Sequence, residues 1–123
     1  MLRTLIVEDN VTFRQSFREM LLEEFPSMEI LETSNGEEAL RQAEAFHPEL
    51  ILMDIKLPGE NGLSLTKKIK TQYPRTIVII LTSYDLPEYR EAAYQSKADS
   101  FISKDTPTCD IFKMIRSVVF GSA

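Results

Sequence analysis

Short apolar runs recur along the chain, and each is followed by a stretch whose apolar residues fall at helical spacing. Leu5-Ile6-Val7, Leu50 to Met53 and Ile77 to Leu81 are the strong runs; Glu29 to Thr33 and Ser100 to Ser103 are weaker. The strong runs do not alternate apolar with polar, so their strands must be buried on both faces. Phe13, Phe17, Met20 and Leu21 share one face of a helix predicted from about Thr12 and closed by Phe25-Pro26. Asn35-Gly36 opens a second helix with Ala39, Ala43 and Phe46. Leu65 and Ile69 mark a third, from Gly62 to just before Tyr73-Pro74. Pro87 suits the first turn of a fourth, carrying Tyr89, Ala92 and Ala93. The last begins near Thr106-Pro107 and carries Ile111, Met114, Ile115, Val118 and Val119. Such alternation predicts an α/β fold: a parallel sheet, helices on both faces and right-handed crossovers.

A chain of 123 residues fits a single domain over residues 1–123, with no linker or low-complexity tract inside it. Its formal charge is −5 and no basic cluster offsets it, so the domain itself is poorly suited to gripping nucleic acid. Lys67-Lys68 and Arg75 read as a solvated helix face and its exit. Cys109 has no partner for a disulfide, and His47 has no second soft ligand, so neither suggests a metal or nucleophile site. No apolar stretch is long enough to span a bilayer, and "MLRTLIVEDN" turns acidic before a signal-like segment forms. A cytoplasmic location and no membrane partner are expected.

Chemistry-bearing residues collect where the strands end. Glu8 and Asp9 follow Val7, Asp54 follows Met53, Thr82 and Ser83 follow Leu81, and Lys104 follows Ser103. In an open α/β sheet these positions share the carboxyl edge, where ligands bind at the reversal of strand order. Three neighbouring carboxylates repel one another and call for a cation; hard oxygen donors without soft ones favour Mg²⁺. With a lysine and a hydroxyl added, the set suits a transferring phosphoryl group, with Asp54 as nucleophile. Each residue also has a plainer reading: Asp9 as a helix cap, Asp54 as a turn residue, Thr82 as a strand end and Lys104 as a surface charge.

The pieces "LIVEDN", "LILMDIKLPGENGL", "IIILTSYD" and "ADSFISKD" resemble, in order and spacing, the receiver domain of two-component response regulators, from about Leu2 to Val119. The resemblance implies a flavodoxin-like (βα)5 doubly wound parallel sheet of strand order 2-1-3-4-5. It implies that Asp54 accepts a phosphoryl group from a sensor histidine kinase. It assigns Mg²⁺ to Asp9, Asp54 and the backbone carbonyl of Lys56, with Glu8 acting through water. Lys104 would contact the phosphoryl group, and Thr82 and Phe101 would be the switch residues. The rearrangement would reshape the face of the fourth helix, fifth strand and fifth helix, where a phosphorylation-dependent homodimer is expected. A plain core aromatic is the alternative for Phe101.

The stretch "SYDLPEYREAAYQSKADSFISKD" is most similar to receivers of the NarL/LuxR type, which normally precede a helix-turn-helix domain. DNA binding is therefore expected only through an output domain beyond Ala123, and an excised receiver is favoured over a stand-alone one. Lys97 and Ser100 stand where many relatives carry glycine, which predicts a less tight turn before the last strand. Asp105 stands where many carry proline, leaving the isomer of the Lys104-Asp105 bond open. Lys56 and Tyr84, two residues after Asp54 and Thr82, are expected at the mouth of the site, tuning phosphate lifetime. The same residues admit two other functions: a pseudo-receiver working only as an interaction scaffold, and an aspartyl-nucleophile phosphohydrolase of the haloacid dehalogenase type. The second would want an aspartate where Lys56 stands. The leading reading is a signalling protein that catalyses only its own phosphorylation and dephosphorylation.

Overall fold

A computed structural model describes residues 2–121. The strands are β1 (Arg3–Val7), β2 (Glu29–Thr33), β3 (Leu50–Met53), β4 (Ile77–Thr82) and β5 (Ser100–Ser103). The helices are α1 (Val11–Glu24), α2 (Gly36–Phe46), α3 (Gly62–Gln72), α4 (Pro87–Gln95) and α5 (Thr108–Phe120). All strand pairings are parallel and the order is β2-β1-β3-β4-β5, as the resemblance to receiver domains implied. The chain moves outward from β1 to β2, then returns past β1 to β3. The order therefore reverses between β1 and β3, and the crevice opens above their carboxyl ends.

The sheet separates two cores. On one face Leu5, Val7, Ile51, Met53, Val78 and Ile80 meet Ala39 of α2, Leu65 and Ile69 of α3 and Ala93 of α4. On the other, Ile6, Leu50, Leu52, Ile79 and Ile102 meet Phe17 and Leu21 of α1 and Ile111, Phe112 and Ile115 of α5. All four β3 side chains are buried, which explains its uninterrupted apolar run. Phe112 broadens the predicted α5 stripe: its ring centroid lies 6.1 Å from Phe17 and 6.0 Å from Phe25, joining α1 to α5.

Asparagine starts the helices that leave β1, β2 and the β3 loop. The side chains of Asn10, Asn35 and Asn61 accept from Phe13 N, Glu38 N and Leu63 N at 3.0, 2.8 and 2.7 Å. Each satisfies a backbone donor that has no intrahelical acceptor. Asn10, rather than Asp9, thus caps α1.

The turn before β5 does not slacken for want of glycine. Lys97 itself takes the left-handed conformation at φ +71°. Lys97 N donates to Tyr94 O and Ala98 N to Ala93 O, the paired bonds of a Schellman turn closing α4. The Lys104-Asp105 peptide is trans.

Candidate functional site at the carboxyl edge of the sheet

The β-ladder delivers the acidic residues to one spot. Asp54 N donates to Val7 O at 3.0 Å and Glu8 N to Thr33 O at 2.9 Å, so pairing continues one residue past the strands. Glu8 and Asp54 are thereby held side by side and almost fully buried, whereas Asp9 is exposed. Oxygens of the three carboxylates lie within 4.8 Å of one another. This spacing, with oxygen donors alone, fits a small hard divalent cation.

Lys104 closes the cluster from β5. Its backbone N donates to Thr82 O at 2.9 Å, fixing it beside the end of β4. Its ammonium contacts Glu8 Oε1 and lies 3.2 Å from Asp54 Oδ2. With 13 % of its side chain exposed, it is no free surface charge. The other Asp54 oxygen, Oδ1, accepts from Ile55 N at 2.8 Å. Asp54 therefore meets its turn-residue reading as well, but the turn leaves Oδ2 facing the lysine.

Glu8 carries the electrostatic cost of this crowding. Burial pushes its carboxyl above the usual glutamate range, and the Asp54 charge adds to the shift. Hydrogen bonds from Lys104 and from Asn10 N, the latter at 3.0 Å, act in the opposite direction.

Thr82 is fully buried, and its hydroxyl accepts from Tyr84 N at 3.2 Å. Phe101 pairs with Ile80 across the β4–β5 ladder, on the sheet face that also carries Thr82. It is half-buried against the first core, with the Arg90 guanidinium 4.7 Å above its ring. Lys56 is exposed; its ammonium lies 5.3 Å from the Tyr84 ring and 5.5 Å from that of Tyr89. Two other residues support the site without having been read as site residues in the sequence. Arg14 donates to Glu8 O at 2.6 Å and pairs with Glu32 at 2.9 Å, and Phe13 places its ring 4.3 Å from the Lys104 ammonium. A groove of about 530 Å³ lies elsewhere, between α2 and α3, beside Leu40, Lys67 and Tyr73.

The sequence profile of the response regulator receiver domain matches residues 4–116. The chain belongs to this family. As a receiver of two-component signalling it has solved and curated relatives along most of its length. The oxygen regulatory protein NreC of Staphylococcus aureus is 33% identical over 98% of this chain, which covers 56% of NreC. The chain thus spans about half the length of the curated relatives it matches. A LuxR-family DNA-binding response regulator from Staphylococcus aureus has 28% identity and a TM-score of 0.88, over 96% of this chain and 98% of that one. TrrA of Thermotoga maritima, solved in complex with Mg²⁺-BeF, has 30% identity and a TM-score of 0.86, over 96% of this chain and 99% of that one. The likeness to NreC and to the LuxR-family structure puts this receiver with the NarL/LuxR type. Receiver domains bind Mg²⁺ at an acidic pocket, and Glu8, Asp9 and Asp54 form such a cluster here. Among the described residues, no helix is long and apolar enough to cross a membrane.

Proposed function

We propose that Asp54 is the phosphoacceptor of this receiver. The observation that carries the reading is the pairing of one Asp54 oxygen with Lys104, 3.2 Å away, inside a three-carboxylate cluster. Asp54 and Asp9, with the carbonyl of Lys56, would hold Mg²⁺ directly, and Glu8 would act through water. When bound, Mg²⁺ supplies positive charge against the phosphoryl oxygens.

An Asp54 carboxylate oxygen attacks phosphorus in line. The new O–P bond forms as the P–N bond of a phosphohistidine on the sensor kinase breaks, and its electron pair returns to the imidazole. Lys104, already at the site, exchanges its carboxylate contacts for a phosphoryl oxygen. In a separate hydrolysis, water attacks the same phosphorus as the Asp54 O–P bond breaks, inorganic phosphate leaves with the water's protons and the Asp54 carboxylate is restored. These are the protein's only catalytic acts in this reading.

Thr82 and Phe101 are the switch pair. To donate to the phosphoryl group, the Thr82 hydroxyl swings toward Asp54, and that movement draws it from Tyr84 N and loosens the β4–α4 connection. Phe101, sharing that sheet face, can then repack, altering the α4–β5–α5 surface. A phosphorylation-dependent homodimer through that surface is part of the proposal. So is a single receiver unit over residues 1–123 in the cytoplasm, acting on a DNA-binding output domain outside it. The 56% coverage of NreC and the DNA-binding description of the Staphylococcus structure support that output.

The test is incubation with acetyl phosphate and Mg²⁺, followed by intact mass. Wild type should gain one phosphoryl group, while chelation of Mg²⁺ or Asp54→Asn should abolish the gain. No gain in wild type would favour a scaffold; turnover of unrelated phosphoesters would favour a hydrolase.

A further inference from the structure

The Lys104 ammonium has three protons and two carboxylate partners, Glu8 and Asp54. Its third side faces an aromatic ring: the Phe13 centroid lies 4.3 Å from Nζ. We propose that Phe13 is a positioning residue that holds the Lys104 ammonium at the site through the negative face of its ring.

The ring cannot readily turn away. It stacks on Phe17 with centroids 5.5 Å apart and planes inclined by 11°. Phe17 is itself locked in the core between α1 and α5. The backbone of Phe13 is pinned too, because its N–H is the one capped by Asn10. Helix start, core and ring face therefore form one rigid unit aimed at the lysine. A cation within about 6 Å of a ring centroid is attracted by the ring quadrupole, more strongly where water is scarce.

The contact differs in kind from the lysine's other two. Glu8 and Asp54 are the groups a metal ion and a phosphoryl group would engage, so both ion pairs must loosen during transfer. The ring offers no ligand atom to the metal and no donor to the phosphoryl group, so neither newcomer displaces it and it keeps its hold throughout. A four-carbon side chain released by its anions would otherwise sample many rotamers and reach solvent. Phe13 thus limits that search while Lys104 changes partners. This role rests on the phosphoacceptor reading of Asp54, whereas the ring–ammonium contact exists in the resting protein without it.

Two measurements test the proposal on the 123-residue chain. In the first, made without Mg²⁺ or phosphodonor, NMR follows the Lys104 ε-methylene protons. They should be shifted upfield by the ring in wild type and in Phe13→Tyr, and return to ordinary lysine positions in Phe13→Leu. In the second, labelling by acetyl phosphate with Mg²⁺ should be about tenfold slower in Phe13→Leu and within about twofold of wild type in Phe13→Tyr. Phe13→Met, which keeps the bulk without the ring, replaces the leucine variant if that one unfolds. Unshifted lysine signals in wild type, or equal labelling of ring and ringless variants, overturns the proposal. Wild type that cannot be labelled at all, yet shows the upfield signals, refutes the phosphoacceptor reading and with it the catalytic role, and leaves the contact standing.

Discussion

A Cβ placed on Gly62 would lie 1.9 Å from the backbone oxygen of Asp54. The same glycine donates its N–H to Ile55 O at 2.8 Å. The first residue of α3 thus lies directly against the end of β3, and only a residue without a side chain fits. The obstacle is backbone, which cannot rotate aside. Gly62→Ala is expected to push the loop away from Asp54 and to cost about 3 kcal/mol, at the upper end for overpacking. Urea unfolding should show the loss, and labelling of Asp54 should slow beyond what the unfolded fraction explains. A variant as stable and as readily labelled as wild type would refute this close approach.

Lys104 neutralises part of the charge that Glu8 and Asp54 bring together. Without it the cluster is more negative and its buried carboxylates lose a donor. Lys104→Met should therefore bind Mg²⁺ more tightly, on the order of tenfold, because the cation no longer competes with an ammonium. It should also be less stable than wild type in EDTA and recover much of that loss in Mg²⁺. Labelling should fall sharply if, as proposed, Lys104 contacts the phosphoryl group, since no side chain replaces it. Calorimetric titration with Mg²⁺ checks the sign; weaker binding in the variant would contradict it.

Asp85 and Arg90 join the β4–α4 loop to α4 through a 2.6 Å hydrogen bond, and the guanidinium continues onto the Phe101 ring. That bond holds the Asp85 carboxyl below the usual aspartate range. A lowered value means that the pair's contribution is complete above the ordinary aspartate range. It fades as pH falls through the folded value. Carboxyl NMR should give Asp85 a midpoint below that of an unpaired aspartate. Arg90→Gln should raise it, and an unchanged midpoint would show that the pair does not persist in water.

The sheet and the acidic cluster were legible because each rests on a local signal. Unbroken apolar runs such as Leu50 to Met53 mark strands buried on both faces, and polar residues just beyond them fall at the carboxyl edge by topology. The capping of α1 was less legible. Asp9 and Asn10 are both good N-caps, and only the helix phase assigns the role to Asn10 and leaves Asp9 exposed. Phe13 read as a core residue because an apolar residue on a helical stripe carries no mark of what its ring edge or face will meet. Phe112 fell outside the predicted α5 stripe because α5 meets aromatics from the middle and the C-terminal end of α1, and that wider contact exists only in three dimensions. The turn at Lys97 was misjudged for a simpler reason: residue type indicates what a left-handed position costs, not whether the chain adopts it.

That cost can be measured. Lys97 occupies φ +71° to complete the turn after α4, a region that places a Cβ too close to the neighbouring carbonyl. Ala93, just before the turn, is buried against the sheet, so the turn cannot drift without moving the core. Lys97→Gly should relieve the strain, offset in part by the greater freedom of glycine in the unfolded chain, for a net gain of about 1 kcal/mol. Lys97→Ala should gain nothing, because alanine keeps the Cβ. A shift of the urea midpoint in glycine alone identifies conformation as the cause; equal shifts in both would assign it to the lost charge.

A last consequence concerns Thr4, near the start of β1. It is fully buried, and among the described residues its hydroxyl is the buried side-chain group with no hydrogen-bond partner. It pairs with Ile30 of β2 and Leu50 of β3, so its flanks are apolar. On the same strand face Ile6 joins the core with α1 and α5. A buried hydroxyl left unpaired forfeits its bonds to water and gains none in return. Thr4→Val keeps the β-branched shape that suits a strand and removes only the polar atom. Stability should rise by about 1 kcal/mol, with Mg²⁺ affinity and labelling of Asp54 unchanged, because Thr4 lies at the opposite end of β1 from Glu8. Thr4→Ser, which keeps the hydroxyl and deletes a methyl, should instead be destabilised. If valine also destabilises, the hydroxyl has a partner in solution, and an ordered water between β1 and α5 is where diffraction should find it.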